Sequence, residues 1–275
     1  MSTTDLTRVN APDLPAWLWG AWRRALVREA DGSEDRTTDV VWLQTGCLFA
    51  DVRIPADRPP LPGRRGVEDC TPDELVAAAS ARGFAGWTQY RDGICRWTRP
   101  LDFRPPTGVE DAGRMELKDG ALWEYGVHTT YAEEYLRIAP GATRIAAWAL
   151  APDPADPRPG VLVVIDDLVL RAVGRREVLP ATTNLAALVR WHRHEPEKLR
   201  ALLDCEIALA SMDGLQVTRS TLPWREGVRL APPGAFRSDD NADELIEESA
   251  GRTRRWRRRG IGPDAETLAR LLNGA

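Results

Sequence analysis

The chain has no apolar run of membrane-spanning length, and its opening residues, Met1-Ser2-Thr3-Thr4-Asp5, lack the basic and apolar regions of a signal peptide. A cytoplasmic protein with no membrane partner is expected. Its four cysteines, Cys47, Cys70, Cys95 and Cys205, are widely separated and form no C-x-x-C pair, so they read as small buried hydrophobes rather than zinc ligands or redox groups. Histidine is scarcer still, with three in 275 residues. A net charge of −4 supplies no cationic excess for a polyanion, and no nucleic-acid partner is expected. No motif of known catalytic chemistry is present, and no cofactor is implied.

What the chain does have is Asp-Gly. Four such pairs, Asp31-Gly32, Asp92-Gly93, Asp119-Gly120 and Asp213-Gly214, stand between runs of alternating apolar and polar residues. A two-residue type I′ turn needs positive φ at both central positions, which Asp and Gly tolerate, so each pair predicts a β-hairpin. Strands are expected at Trp17–Arg28, Val40–Thr45 and Cys47–Ile54. In the last of these Leu48, Ala50, Val52 and Ile54 share one face while Phe49, Asp51 and Arg53 share the other. After a proline-rich excursion, Thr71-Pro72-Asp73-Glu74 carries a cap, a first-turn proline and a capping-box glutamate, predicting a helix to about Arg82.

Hairpins follow at Trp87–Tyr90 with Ile94–Trp97 and at Arg114–Leu117 with Leu122–Tyr125, the second continuing past Gly126 into Tyr131–Ile138. Further strands are expected at Ile145–Leu150, Val161–Ile165, Leu168–Val173, Leu185–His194, Cys205–Ala210 and Leu215–Thr221, with a proline-rich junction at 152–160. Beyond Pro232-Pro233 the texture predicts a helical tail, 232–275, with helices at Asp243–Arg259 and Pro263–Asn273. The chain is therefore read as all-β, an antiparallel barrel at 15–231 built as one large or two smaller barrels. Closure hides the edges of many short strands. It also explains charged groups placed beside aromatics on the face opposite the aliphatic one, as a lumen requires.

Gly20-Ala21-Trp22 resembles the Gly-x-Trp signature of lipocalin-like barrels. The runs Trp42-Leu43-Gln44-Thr45, Asp51-Val52-Arg53-Ile54-Pro55, Leu122 to His128 and Ser220 to Gly227 are similar to a bacterial group related to the fungal Hri-type lipocalin-like proteins. The resemblance implies a ligand-holding barrel or pair of barrels over about residues 15 to 231 and transfers no catalytic residue.

Candidate site residues follow from the faces of the strands. Asp51 and Arg53, with Gln44 on the neighbouring strand, could orient the polar end of a ligand, since a guanidinium fork matches planar oxygen pairs. Trp42, Trp97 and Trp123 are expected to wall the lumen, together with Tyr131. Glu124, His128, Thr130 and Glu134 have one parity, and Trp123, Tyr125, Tyr131 and Tyr135 the other, unless a bulge at Gly126 resets the phase. Glu124, His128 and Glu134 are the acid/base residues of an alternative reading, a cofactor-free isomerase, lyase or hydrolase. His128 with His192-x-His194 forms a second alternative, a three-histidine metal site. Arg252, Arg254, Arg255, Arg257, Arg258 and Arg259 around Trp256 read as the solvated end of a helix. Ten of the eleven tryptophans lie within residues 17 to 224, and the leading expectation is binding or processing of a small, partly aromatic molecule in a tryptophan-lined lumen.

Overall fold

A computed structural model describes residues 5–9, 14–181, 184–249 and 251–274. Its first sheet holds β1 (Gly20–Glu29), the two-residue β2 (Glu34–Asp35), β3 (Asp39–Gln44), β4 (Leu48–Ile54), β5 (Arg82–Arg91), β6 (Ile94–Asp102), β7 (Asp111–Lys118), β8 (Ala121–Gly126) and β9 (Tyr131–Arg137). Strand β1 pairs antiparallel with both β3 and β9, so β1 and β3 to β9 close into an eight-stranded barrel, with β2 a short ribbon beside β1.

The second sheet contains β10 (Ile145–Leu150), β11 (Gly160–Ile165), β12 (Leu168–Val173), β13 (Glu206–Ser211), β14 (Val217–Ser220), β15 (Phe236–Ser238), β16 (Glu244–Ser249) and β17 (Arg252–Arg258). Their order is β14-β13-β12-β11-β10-β17-β16-β15, and the two end strands are not paired with each other, leaving a half-barrel. Four short helices complete the fold: α1 (Pro72–Ala78), α2 (Leu185–Trp191), α3 (Pro196–Leu202) and α4 (Ala265–Asn273).

Turn chemistry sets the registers. Asp92 and Asp119, both at φ 53°, precede Gly93 and Gly120, both at φ 82°, giving the left-handed pairs that join β5 to β6 and β7 to β8. In the Asp31-Gly32 pair only the glycine is left-handed, and the Asp31 carboxylate instead accepts the Ser33 N–H at 2.9 Å. Asp213-Gly214 lies in a 3-10 turn that ends in a left-handed Leu215.

Three apolar clusters show where the layers meet. The aliphatic face of β4, with Leu48, Ala50, Val52 and Ile54, packs on Val161, Val163, Leu170, Ala172, Ile207 and Leu209 of the second sheet, and α1, α2 and α3 close the sides. The opposite face of the second sheet buries Trp148, Val164, Val169, Leu245 and Trp256 beneath α4. The third cluster fills part of the barrel interior with Trp22, Trp42, Phe49, Trp97, Met115, Leu122 and Tyr135.

Three expectations are corrected. Residues Leu185–Trp191 form helix α2 instead of the strand expected at Leu185–His194: Asn184 caps it by accepting the Ala187 N–H at 2.8 Å, and the buried Leu185 and Val189 stand one helical turn apart. The apolar run there satisfies both periods, and the cap decides. The helix expected at Asp243–Arg259 is the β16–β17 hairpin, in which Glu244 faces Arg257 and Glu247 faces Arg254 across the strands. Opposite charges directly across a hairpin support the pairing that a helical reading of the same blocks overlooks. Of the helical tail only α4 is helix, capped by Asp264 and ended by a left-handed Gly274 at φ 81°. Helix α1 has its capping box at Thr71 and Glu74 as expected, but it stops at Ala78, because Arg82 already belongs to β5.

Candidate functional site

One end of the barrel is plugged. Gly20 has φ 141°, and a side chain there would collide with the Arg137 guanidinium. Arg137 instead donates to the carbonyls of Trp19 at 2.5 Å and Trp17 at 2.7 Å and lies 4.1 Å over the Trp22 ring. Trp22 donates its indole N–H to the Leu18 carbonyl at 2.9 Å. Beside this plug Gln44 donates to the Thr45 carbonyl and accepts from Thr88, each at 2.8 Å. Gln44 thus shares the inward face with Trp42 and Phe49, but its amide is held by these bonds at the plugged end and it is not part of the cavity lining.

From the plug a cross-strand row runs toward the mouth: Trp22 opposite Trp42, Trp42 opposite Asp51, Asp51 opposite Phe84, and Phe84 opposite Asp102. Because side chains alternate along each strand and cross-strand partners share a face, one inward residue commits the whole row. Trp42, Asp51, Phe84 and Asp102 of this row border a cavity of about 290 Å³ whose lining also includes Phe49, Arg53, Arg82, Trp97, Arg99, Arg104, Asp111, Glu124, Tyr131, Glu133 and Tyr135. Trp42 is the hub of the aromatic floor, with ring centroids 6.1 Å from Trp97 and 5.5 Å from Tyr135. Its indole N–H is buried and has no acceptor among the described residues.

Above the floor sits an ionic network. The Arg53 Nε donates to Asp51 at 2.9 Å, one terminal nitrogen donates to Glu133 at 3.3 Å, and the other donates to the Tyr135 hydroxyl at 3.4 Å. Arg24 donates to the same Glu133 oxygen at 2.9 Å, and Tyr135 donates to the other oxygen. Burial raises Asp51, with Arg53 opposing, whereas in Glu133 the attraction of Arg53 and Arg24 outweighs burial and holds the carboxyl below its usual range. Glu124 lies directly across the strands from Glu133 and is 2.5 Å from the Tyr131 hydroxyl. Burial and then the Glu133 charge push Glu124 up to about 8, so it is a neutral acid at pH 7. Gly113 makes room for it, since a Cβ there would lie 2.6 Å from the Glu124 Cγ.

The mouth is more exposed and richer in arginine. Arg99 bridges Asp111 at 3.2 Å and Asp102 at 3.6 Å, and burial pushes Asp102 up to about 6. Arg99 and Arg53 both pack on Phe84, at 4.6 and 5.0 Å from its ring centroid. Arg104 donates to the carbonyls of Ser80 at 2.9 Å and Ala81 at 3.4 Å, while Arg82 has no ion-pair partner among the described residues.

Of the residues singled out in the sequence, Trp42, Asp51, Arg53, Trp97, Tyr131 and Glu124 line one cavity. The turn after Gly126 resets the phase of the chain, so Tyr131, Glu133 and Tyr135 point inward with Glu124. The expected parity of Glu124, His128 and Glu134 is therefore broken. His128 is outside and half-exposed, 2.9 Å from Glu110, and Glu134 turns away from the lumen. Trp123 is on the outer face, stacked on Tyr125 with centroids 6.2 Å apart, and is not a lumen wall. His192 and His194 lie at the end of α2, where His192 contacts Glu195 at 3.0 Å, and no three-residue metal-ligating cluster occurs among the described residues. Sequence reasoning missed Glu133, Arg24, Arg82, Phe84, Arg99, Arg104 and the Arg137 plug; cross-strand register was the signal that could have found the first four.

A larger cleft of about 760 Å³, outside the barrel, runs past Trp19, Cys47, Arg144, Arg259 and Ile261. Its two arginines are already engaged by backbone carbonyls, Arg144 with Asp166 and Arg259 with Thr7 and Val9. The lumen, by contrast, joins an aromatic wall to charged side chains.

No family model matches this chain, and no curated protein matches it. Among solved structures it is similar to the uncharacterized protein YLR301w from Saccharomyces cerevisiae, with a TM-score of 0.52 at 12% identity, over 87% of this chain and 97% of that one. At that identity the likeness is one of fold, and it spans the barrel and the half-barrel together.

Proposed function

We propose that the protein binds a small, partly aromatic molecule in the barrel lumen, its rings among Trp42, Phe49 and Trp97 and its polar part beside Arg53 and Asp51. The observation that carries this reading is the combination of an open aromatic cavity with a lining residue, Trp42, whose buried indole N–H has no acceptor among the described residues. Native proteins rarely leave such donors unmet, and a ligand acceptor would meet this one. A volume of about 290 Å³ is the bulk-liquid share of about ten waters, which suits a molecule of one or two rings. The resemblance to lipocalin-like proteins of the bacterial and Hri-type groups agrees with this reading.

A native mass spectrum of the freshly isolated protein, followed by tryptophan-fluorescence titration with one- and two-ring arenes, tests it. Retained small-molecule mass or saturable quenching is expected. Absence of both across the panel would remove the reading.

The second reading, cofactor-free acid/base chemistry, has one observation in its favour: a neutral Glu124 faces an ionised Glu133 across two strands inside the lumen. Such a pair can give and accept a proton at one bound molecule. With His128 and Glu134 outside, Glu124 is the acid. Turnover of a bound arene by the wild type and its loss in Glu124→Gln would support this reading over simple binding.

A further inference from the structure

We propose that the lumen selects planar aromatic monoacids, taken ring-first, with a ring acceptor on the Trp42 indole and the anionic group at the mouth beside Arg82 and Arg104. This deepens the binding reading and rests on it. Deep in the lumen every cation has its carboxylate: Arg53 has Asp51, and Arg24 has Glu133. At the rim Arg99 has Asp111. The cations left over are Arg82, which has no ion pair among the described residues, and Arg104, whose hydrogen bonds go to two carbonyls.

Both leftover guanidiniums line the same cavity. Arg82 stands directly across the strands from Arg53, a like charge, so an anion would relieve a repulsion already built into the sheet. Glu29, Asp102 and Asp111 also line the cavity there, and among the described residues none of them makes an ion pair with Arg82 or Arg104.

The other end of the cavity calls for a different group. Trp42 is 3% exposed, and its N–H can be satisfied only by an acceptor such as a ring nitrogen, ring oxygen or carbonyl. Aromatic walls below and unpaired cations above give the cavity a direction, and a ligand matching it has an acceptor-bearing ring at one end and one negative charge at the other. An ammonium ligand would meet two unpaired guanidiniums on entry.

The test is a matched series titrated calorimetrically: quinoline carboxylate, its carboxamide, its aminomethyl analogue, and naphthoate, which lacks the ring acceptor. The carboxylate is expected to bind about tenfold tighter than the amide. That preference should vanish in Arg82→Gln, a change at an exposed side chain that leaves the core intact. Trp42→Phe should weaken the quinolines about fivefold and leave naphthoate unchanged. Equal binding of acid, amide and amine, or a preference that survives in Arg82→Gln, would overturn the inference while leaving the binding reading standing. If no member of the series binds the wild type, the inference falls, and the binding reading stands or falls on the wider arene panel and the native mass spectrum. Should Trp42→Phe fail to fold by circular dichroism, the Arg82→Gln arm still decides.

Discussion

Each of the two sheets encloses an arginine in its concave interior, and the two are housed differently. In the half-barrel, Arg171 on β12 reaches across to Glu247 on β16 and also pairs with Glu206 at 3.0 Å. Glu247 is fully buried and further accepts from Arg254 and the Trp256 indole, each at 3.0 Å, with α4 packed over the same face. In the barrel, Arg53 has an equivalent pair of acids, but its side chain keeps 16% exposure against 5% for Arg171, and it borders an open cavity. Trp148 makes the same point. Its indole N–H is also buried without an acceptor among the described residues, but Trp148 packs in the apolar cluster beneath α4, whereas Trp42 lines the lumen cavity. An orphaned donor alone therefore does not mark a ligand site; one on a residue that lines a cavity is the better candidate. One sheet uses its buried ions as a clamp, and the other holds them at the wall of a vessel.

The largest expected effect would come from the clamp. Glu247→Ala takes their carboxylate partner from Arg254 and the Trp256 indole and leaves Arg171 with Glu206 alone in a buried interior, and should cost about 3–5 kcal/mol in urea unfolding. Arg53→Met should cost less, about 1–3 kcal/mol, because water in the lumen can solvate what is left and Arg24 still holds Glu133. Equal losses for the two variants would mean that the barrel is as sealed as the half-barrel, and the contrast would be broken. Arg137→Leu unplugs the closed end by removing two carbonyl contacts and the cation–π stack on Trp22, for about 1–2 kcal/mol.

The smallest effect is one of slope. Glu124 titrates near 8 when folded and near 4.5 when unfolded, so between those values the folded state holds more protons and stability falls as pH rises. Thermal melts from pH 5 to 8.5 should fall less steeply for Glu124→Gln, which cannot ionise, than for the wild type. Identical slopes would show that Glu124 is not the buried neutral acid described here.

Much of the barrel was legible because its turns and strand faces are local features. Asp92-Gly93 and Asp119-Gly120 announced their hairpins, and the alternation in Leu48–Ile54 placed Asp51 and Arg53 opposite the aliphatic face. The site was legible only where one strand sufficed. Tyr131 and Glu133 entered the lumen through a phase change at the turn after Gly126, which no periodicity crosses. Arg82 joined it across the strands from Arg53, Arg99 came from the part of β6 where the register against β5 shifts, and Arg104 from the chain just past the end of β6. The half-barrel was misread where composition is ambiguous: Leu185–Trp191 fits a strand or a helix until its Asn cap is weighed, and the Glu and Arg blocks of β16 and β17 look like one helix until they are set side by side. In both places the deciding interaction is a cap or a cross-strand partner, not the hydrophobic pattern.

The contrast between vessel and clamp can be read directly from tryptophan. With ¹⁵N-indole labelling, the eleven tryptophans give separate N–H resonances, and Trp42 is assigned by its loss in Trp42→Phe. Addition of quinoline carboxylate should move the Trp42 signal downfield as its N–H gains an acceptor, while Trp148 and Trp256 in the half-barrel stay where they are. A Trp42 resonance that never moves, or one that moves together with Trp148 and Trp256, would contradict a hollow barrel beside a solid half-barrel.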